Sequence, residues 1–191
     1  MCPGVDGAIC APCCGTAREN TIDCPSVCEY LIEARRHEEP RETDPRDFPH
    51  PEIELTGKLI EDNSDLLLAA ARTLIRLSLP DRLLDRDVRE ALEALIRARI
   101  ASAGGGACQT HQESASALPV AAEIEEAIAA CLTREGDAAG FAQSREREVL
   151  GILVFLQRLE IDRSNGRPRG RAFIDFLRGQ FGVEDAAPAA P

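Results

Sequence analysis

The chain has no tryptophan, one tyrosine, one methionine and three histidines, and Lys58 is the only lysine among 22 basic residues. Aromatic residues make up only 4% of the sequence, so any core must be aliphatic. The arginine bias matches the coding composition of a source genome as well as it matches guanidinium chemistry, and no function is drawn from it. Long apolar runs are missing too: the longest, residues 149–156 with Gly151 inside it, is far too short to span a bilayer. The opening Met-Cys-Pro-Gly-Val-Asp-Gly carries neither a basic region nor an apolar run, which points to a cytoplasmic protein. No segment carries a recognisable catalytic constellation, and nothing in the spacing of the carboxylates selects one acid-base pair. An enzyme is therefore not expected.

What is present divides unevenly along 191 residues. At 44% apolar and 29% charged the composition is that of a globular chain, long enough to bury a substantial core. The formal net charge of -11 opposes non-specific association with nucleic acid or anionic membrane, both polyanions, and leaves another protein as the expected partner.

Cysteine is concentrated. Six of the eight, Cys2, Cys10, Cys13, Cys14, Cys24 and Cys28, fall in the first 28 residues. In a reducing compartment such a cluster is more often a metal site than a disulfide framework. Cys10-Ala-Pro-Cys13 places two thiolates about a tight turn, with Gly15 following. Thr21 and Ile22 are β-branched, so the stretch from Thr16 to Asp23 predicts a very short hairpin. Cys24-Pro25-Ser26-Val27-Cys28 then predicts the first turn of a helix running to about Arg36, with Cys24 and Cys28 on one face.

A knuckle, a hairpin and a helix whose first turn carries the second cysteine pair resemble a treble-clef-type zinc module over about the first 37 residues. The resemblance rests on Cys10, Cys13, Cys24 and Cys28. It departs from the usual pattern at Cys14, where such modules more often have glycine, so Cys14 and Cys2 stand as alternates. The resemblance implies a metal-stabilised fold and a binding role. Four thiolates suit zinc at roughly 2.3 Å in a closed tetrahedral site with a structural role. An iron-sulfur cluster uses the same ligand type and is the alternative cofactor, in a redox or sensor protein, although the spacing matches neither common ferredoxin run. Unligated or redox-active thiols are a further possibility. His37 reads as a solvated residue near a helix end.

Residues 38–55 follow as an extended linker; its stretch 38–51 holds four prolines and seven charged residues. Phe48 is placed to anchor it and His50, between Pro49 and Pro51, is expected to be exposed. From residue 56 to 182 the pattern is helical, predicting an all-α bundle of about four or five helices. The first starts at Thr56 with Leu59, Ile60, Leu67, Ala70, Ala71, Leu74 and Leu77 inward, and ends at Pro80. Asp85 is expected to cap the second, antiparallel to the first, with Val88, Ala91, Leu92, Leu95 and Ile96 buried. Three glycines at 104–106 read as a connector, since no strand precedes them and no Lys-Ser/Thr follows. Cys108 and His111, three apart in that loop, read as exposed polar residues. Pro119 opens a third helix with Val120, Ile124, Ile128 and Cys131 inward. Ser144 is expected to cap a fourth, the most buried, and a fifth runs from Gly170 to about Phe181. The tail, 183–191, is predicted to be disordered.

Arg163, Arg167, Arg169 and Arg171 crowd the turn before the last helix with no acid among them. They form either an anion or acidic-partner site, with RNA among the ligands, or intramolecular pairs with the 33 acidic residues of the chain. Taken together, the sequence predicts a zinc-binding interaction or adaptor protein with a structural four-cysteine site. Loss of zinc is expected to unfold the first 37 residues and spare the bundle.

Overall fold

The computed structural model describes residues 1–38, 43–79, 82–104, 114–134 and 142–182. Cys108, His111, Pro80 and the tail 183–191 lie outside the described residues. Among the described residues there are eight α-helices and no strand. The helices are α1 (Ala11–Ala17), α2 (Glu29–His37), α3 (Gly57–Asp62), α4 (Ser64–Ser78), α5 (Asp85–Gly104), α6 (Ala117–Arg134), α7 (Ala142–Arg163) and α8 (Ala172–Phe181). The all-α class holds, with more helices than expected. None is long and apolar enough to cross a membrane.

The first long apolar pattern is divided. Thr56 caps α3 as expected, its Oγ1 accepting from the Leu59 N–H at 3.1 Å. The helix then breaks at Asn63, whose side-chain amide donates back to the Leu59 carbonyl at 2.9 Å. A side chain that competes for the backbone in this way is a common cause of helix termination. Beyond it, Leu66, Leu67, Ala70, Ala71 and Leu74 form the buried stripe of α4 at spacings of three and four.

α4 packs on α6 and α8, while α5 packs on α6 and α7. The expected antiparallel pairing of the helices that become α4 and α5 is therefore replaced by one in which α6 lies against both. α7 is the most buried element, as its run predicted: Val149, Ile152, Leu153, Val154 and Leu156 have essentially no exposed surface. Gly151 admits α3, since a Cβ there would stand 2.7 Å from Leu59 Cδ2. The main core contains no aromatic buried side chain except Phe173, in agreement with the aliphatic composition.

Asp85 does not cap its own helix. Its carboxylate accepts from the Phe173 and Ile174 N–H groups at 3.1 and 3.2 Å, so it caps α8 across the bundle. Asp87 serves α5 instead, accepting from the Leu84 N–H at 3.1 Å. The sequence placed an acid correctly but not the helix end it satisfies.

The segment expected to be a linker is fastened to the bundle along its second half. Arg158 of α7 donates to the carbonyls of Pro49, His50 and Ile53 at 3.2, 2.5 and 3.2 Å. His50 is not exposed as expected: 15% of its side chain is accessible, its φ is 55°, and its ring faces Glu93 at 3.6 Å. The backbone carbonyls that Arg158 holds fix this turn, which a linker composition does not reveal.

Burial pushes the Asp85 carboxyl up to about 6 from an ordinary 3.8, against the opposing pull of the two N–H donors of α8. A carboxyl whose pKa is raised on folding contributes stability that is fully present below its unfolded pKa and is lost as pH rises through the folded one. Wild-type protein is thus expected to lose stability relative to Asp85→Asn between about pH 4 and pH 6, at up to about 1.4 kcal/mol per pH unit. Urea unfolding of both proteins across that window checks this. Parallel pH profiles would contradict it.

Candidate functional site

The cysteine-rich segment is built around two turns. Cys2 N–H donates to the Gly7 carbonyl at 2.7 Å, closing a loop that packs on Ile22 and Asp23 so closely that a Cβ at Gly4 would lie 2.5 Å from Ile22 Cγ2. Cys10 then starts α1, with proline in the first turn and its sulfur accepting from the Cys13 N–H at 3.4 Å. The tight turn expected at Cys10-Ala-Pro-Cys13 is instead the opening turn of a helix that runs on to Ala17. The predicted hairpin is absent. After α1 the chain reverses at Glu19, whose φ is 54°, and the N–H groups of Asn20, Thr21 and Ile22 all converge on the Ala17 carbonyl. Only an isolated bridge, Arg18 to Ile22, remains of the expected strands.

The second half also differs. α2 begins at Glu29, with Cys28 as its N-cap and Cys24 ahead of the helix, so these two cysteines do not share a helical face. They come together by burial instead. Cys2, Ile22, Cys24, Cys28 and Leu31 form a small second core. Burial raises the Cys24 thiol, the Glu19 backbone N–H bonded to it opposes this, and the nearby Cys28, Glu19 and Cys2 raise it further. Cys10 and Cys13 are exposed, and Cys14 is half-buried. The Cys13 thiol donates to Cys10, lowering Cys10 and raising Cys13 from the usual thiol range.

The six thiols therefore fall into an exposed pair, Cys10 with Cys13, and an inner group, Cys2, Cys24 and Cys28, with Cys14 between. Among the described residues no three Cys, His, Asp or Glu side chains converge tightly enough, as they stand, to hold a metal ion. A cavity of about 400 Å³ opens beside them, lined by Cys2, Cys14 and Cys28 together with Arg18, Tyr30 and His37 among others. His37 itself is solvated and bonds Glu33 at 3.1 Å.

Sequence reasoning missed the feature that fixes this module in place. Glu19 has no exposed surface, and its carboxylate receives Arg35 Nη2 at 2.6 Å, Asn165 Nδ2 at 2.8 Å and the Arg171 N–H at 3.2 Å. Its carbonyl accepts from the Arg169 N–H at 2.8 Å. Three of the four arginines of the basic turn, Arg167, Arg169 and Arg171, meet the cysteine-rich segment at the same place. Arg171, 2% exposed, donates to Asp23 Oδ1 at 2.7 Å, the Cys24 carbonyl at 3.1 Å and the Leu83 carbonyl at 3.1 Å. Arg167 donates to the Arg18 carbonyl at 3.0 Å and pairs with Glu38 at 3.2 Å. Arg169 faces Asp23 at 3.8 Å. Arg163 pairs with Asp162 at 3.0 Å and lies over the Phe176 ring at 4.8 Å. Arg35 also pairs with Asp175 of α8, and Arg178 donates to Ser26 at 2.9 Å.

Gly166, with φ of 70°, and Gly170, where a Cβ would meet Asn165 Oδ1 at 2.4 Å, give the turn the tight course these contacts need. A charge-rich SNGRPRGR turn signals its glycines in sequence, but the acids that meet it lie about 150 residues away and carry no local mark. No family model, no curated protein and no solved structure matches the chain.

Removing the Glu19 carboxylate would leave Arg35 and the Arg171 N–H buried without it. Glu19→Ala is expected to destabilise the protein by roughly 3–5 kcal/mol, the cost of breaking a buried charge network from one side. It should also make the first 37 residues more sensitive to protease. Urea unfolding together with limited proteolysis checks this, and a stability within about 1 kcal/mol of wild type would contradict the assigned role.

Proposed function

We propose that this chain is a zinc-binding, non-enzymatic interaction protein. One zinc ion is held by four of the six thiols in the first 28 residues, and the folded module presents a surface to another protein. The observation that carries this reading is the inner cysteine group: Cys2, Cys24 and Cys28 make up three of the five buried residues of the module's own core. A core that small cannot stabilise itself by apolar burial, and a metal-thiolate centre supplies folding energy directly. The donor set suits zinc, since thiolates dominate and a four-thiolate site leaves no open position for substrate. The role as an adaptor is supported by exposed apolar side chains on the module, Val27 and Tyr30, 77% and 64% accessible, beside its charged remainder.

The packing changes one expectation. Zinc loss was expected to spare the bundle, yet Arg171 of the bundle is held by Asp23 and the Cys24 carbonyl, and Glu19 stands between module and bundle. Disordering the module exposes these partners, so the two parts should lose stability together.

Elemental analysis and an absorption spectrum, on untagged protein purified anaerobically, test the reading. About one zinc per chain with no visible absorption is the expected result. Iron with sulfide and broad visible absorption would overturn zinc in favour of a redox or sensor protein. Metal-free, colourless protein would overturn the metal reading altogether.

A further inference from the structure

We propose that the metal site of the module is the cavity beside α1 and α2, that its four thiolate ligands are Cys2, Cys14, Cys24 and Cys28, and that Cys10 and Cys13 stand outside it as an exposed dithiol. This rests on the metal-module reading and specifies which thiols serve it.

Three observations point to this set. Cys2, Cys14 and Cys28 line one cavity of about 400 Å³, although they come from three separate pieces of chain: the N-terminal loop, α1 and the cap of α2. Cys10, Cys13 and Cys24 do not line it, but Cys24 is buried in the same small core as Cys2 and Cys28, whereas Cys10 and Cys13 are exposed and bonded to each other. Arg18 also lines the cavity, and its Nε is buried without a hydrogen-bond partner.

A buried N–H left unpaired is costly, and native proteins provide a partner for nearly all of them. Four thiolates around a divalent zinc carry a net charge of -2, so a centre formed here sets an anionic group beside the Arg18 side chain. Cys10 and Cys13 meet no such group: what they bond is each other.

The inner thiols do not yet converge on one point. Their closure is the folding step that metal drives, and the space to turn into is the cavity itself. Cys14 follows Cys13 directly, and on a helix adjacent residues point about 100° apart, so the two do not face the cavity alike. The sequence leaves that choice open; the half-buried Cys14 and the exposed Cys13 decide it.

The test is alkylation mapping on the full-length, zinc-loaded protein. Iodoacetamide is added without denaturant, zinc is then removed, and the remaining thiols are labelled with a second reagent before peptide mass spectrometry. Cys10 and Cys13 are expected to carry the first label, and Cys2, Cys14, Cys24 and Cys28 the second. Zinc affinity measured by competition with a chromophoric chelator gives an independent check: Cys10→Ser and Cys13→Ser should bind within threefold of wild type, and Cys2→Ser and Cys14→Ser at least tenfold more weakly.

Protection of Cys10 and Cys13, with labelling of Cys2 and Cys14, would overturn this ligand set while leaving a zinc module in place. Failure of the wild-type protein to retain zinc at all would overturn the metal reading as well. The mapping needs no variant to fold, so a Cys2→Ser protein that does not fold leaves the decision with the labelling pattern.

Discussion

Glu19 is the residue on which the arrangement of this molecule depends. It is a carboxylate with no exposed surface, set in a left-handed turn at the end of α1 and bonded to one arginine, one asparagine and one backbone N–H. A buried charge is tolerated only when its acceptor capacity is filled, and here the donors come from both sides of a boundary: Arg35 belongs to the cysteine module, Asn165 and Arg171 to the bundle. The same residue offers its N–H to Cys24 sulfur and its carbonyl to Arg169. Position, charge and backbone therefore all act at one point, and the cysteines are held relative to the bundle through it.

Around that point lies a shell of arginines with their acids. Arg171 reaches Asp23, Arg35 reaches Asp175, Arg167 reaches Glu38, and inside the bundle Arg89 grips Glu160 with bonds of 2.7 and 2.8 Å. Burial raises Glu160 despite that guanidinium, a reminder that such pairs fix geometry more than they add stability. Guanidinium groups suit the task, since a planar fork can bond a carboxylate and backbone carbonyls at once, as Arg171 does. The basic turn that stands out in an acidic sequence is, in the folded molecule, the surface that receives the module.

Much of the bundle was legible from apolar spacing. The stripe Leu67, Ala70, Ala71 and Leu74 and the all-round apolar run of α7 were read correctly because a helical period is a local property, although Leu66, buried with them, was not among the residues expected. The break at Asn63 was not, because it depends on where one amide points, and neither was the exchange of caps between Asp85 and Asp87. In the candidate site the cysteine positions were plain, but their grouping was not. Thr21 and Ile22 suggested strands by their β-branching; the turn at Glu19 overrides them, because its carboxylate is satisfied by residues 16, 146 and 152 positions away. The burial of Cys2, which the sequence marked only as an alternate, follows from a loop closing on Ile22 and likewise leaves no trace in spacing.

The central claim is that the cysteine module and the helical bundle form one thermodynamic unit, joined at Glu19 and stabilised by metal on the module side. Urea unfolding followed by far-ultraviolet circular dichroism reports mainly on the bundle, which holds most of the helix, and can be run on the same zinc-loaded preparation before and after a chelator removes the metal. The account predicts one transition in both states, with a lower midpoint once zinc is gone, because a ligand bound only by the folded protein stabilises everything that unfolds with its site. A bundle transition at the same urea concentration with and without zinc would contradict it.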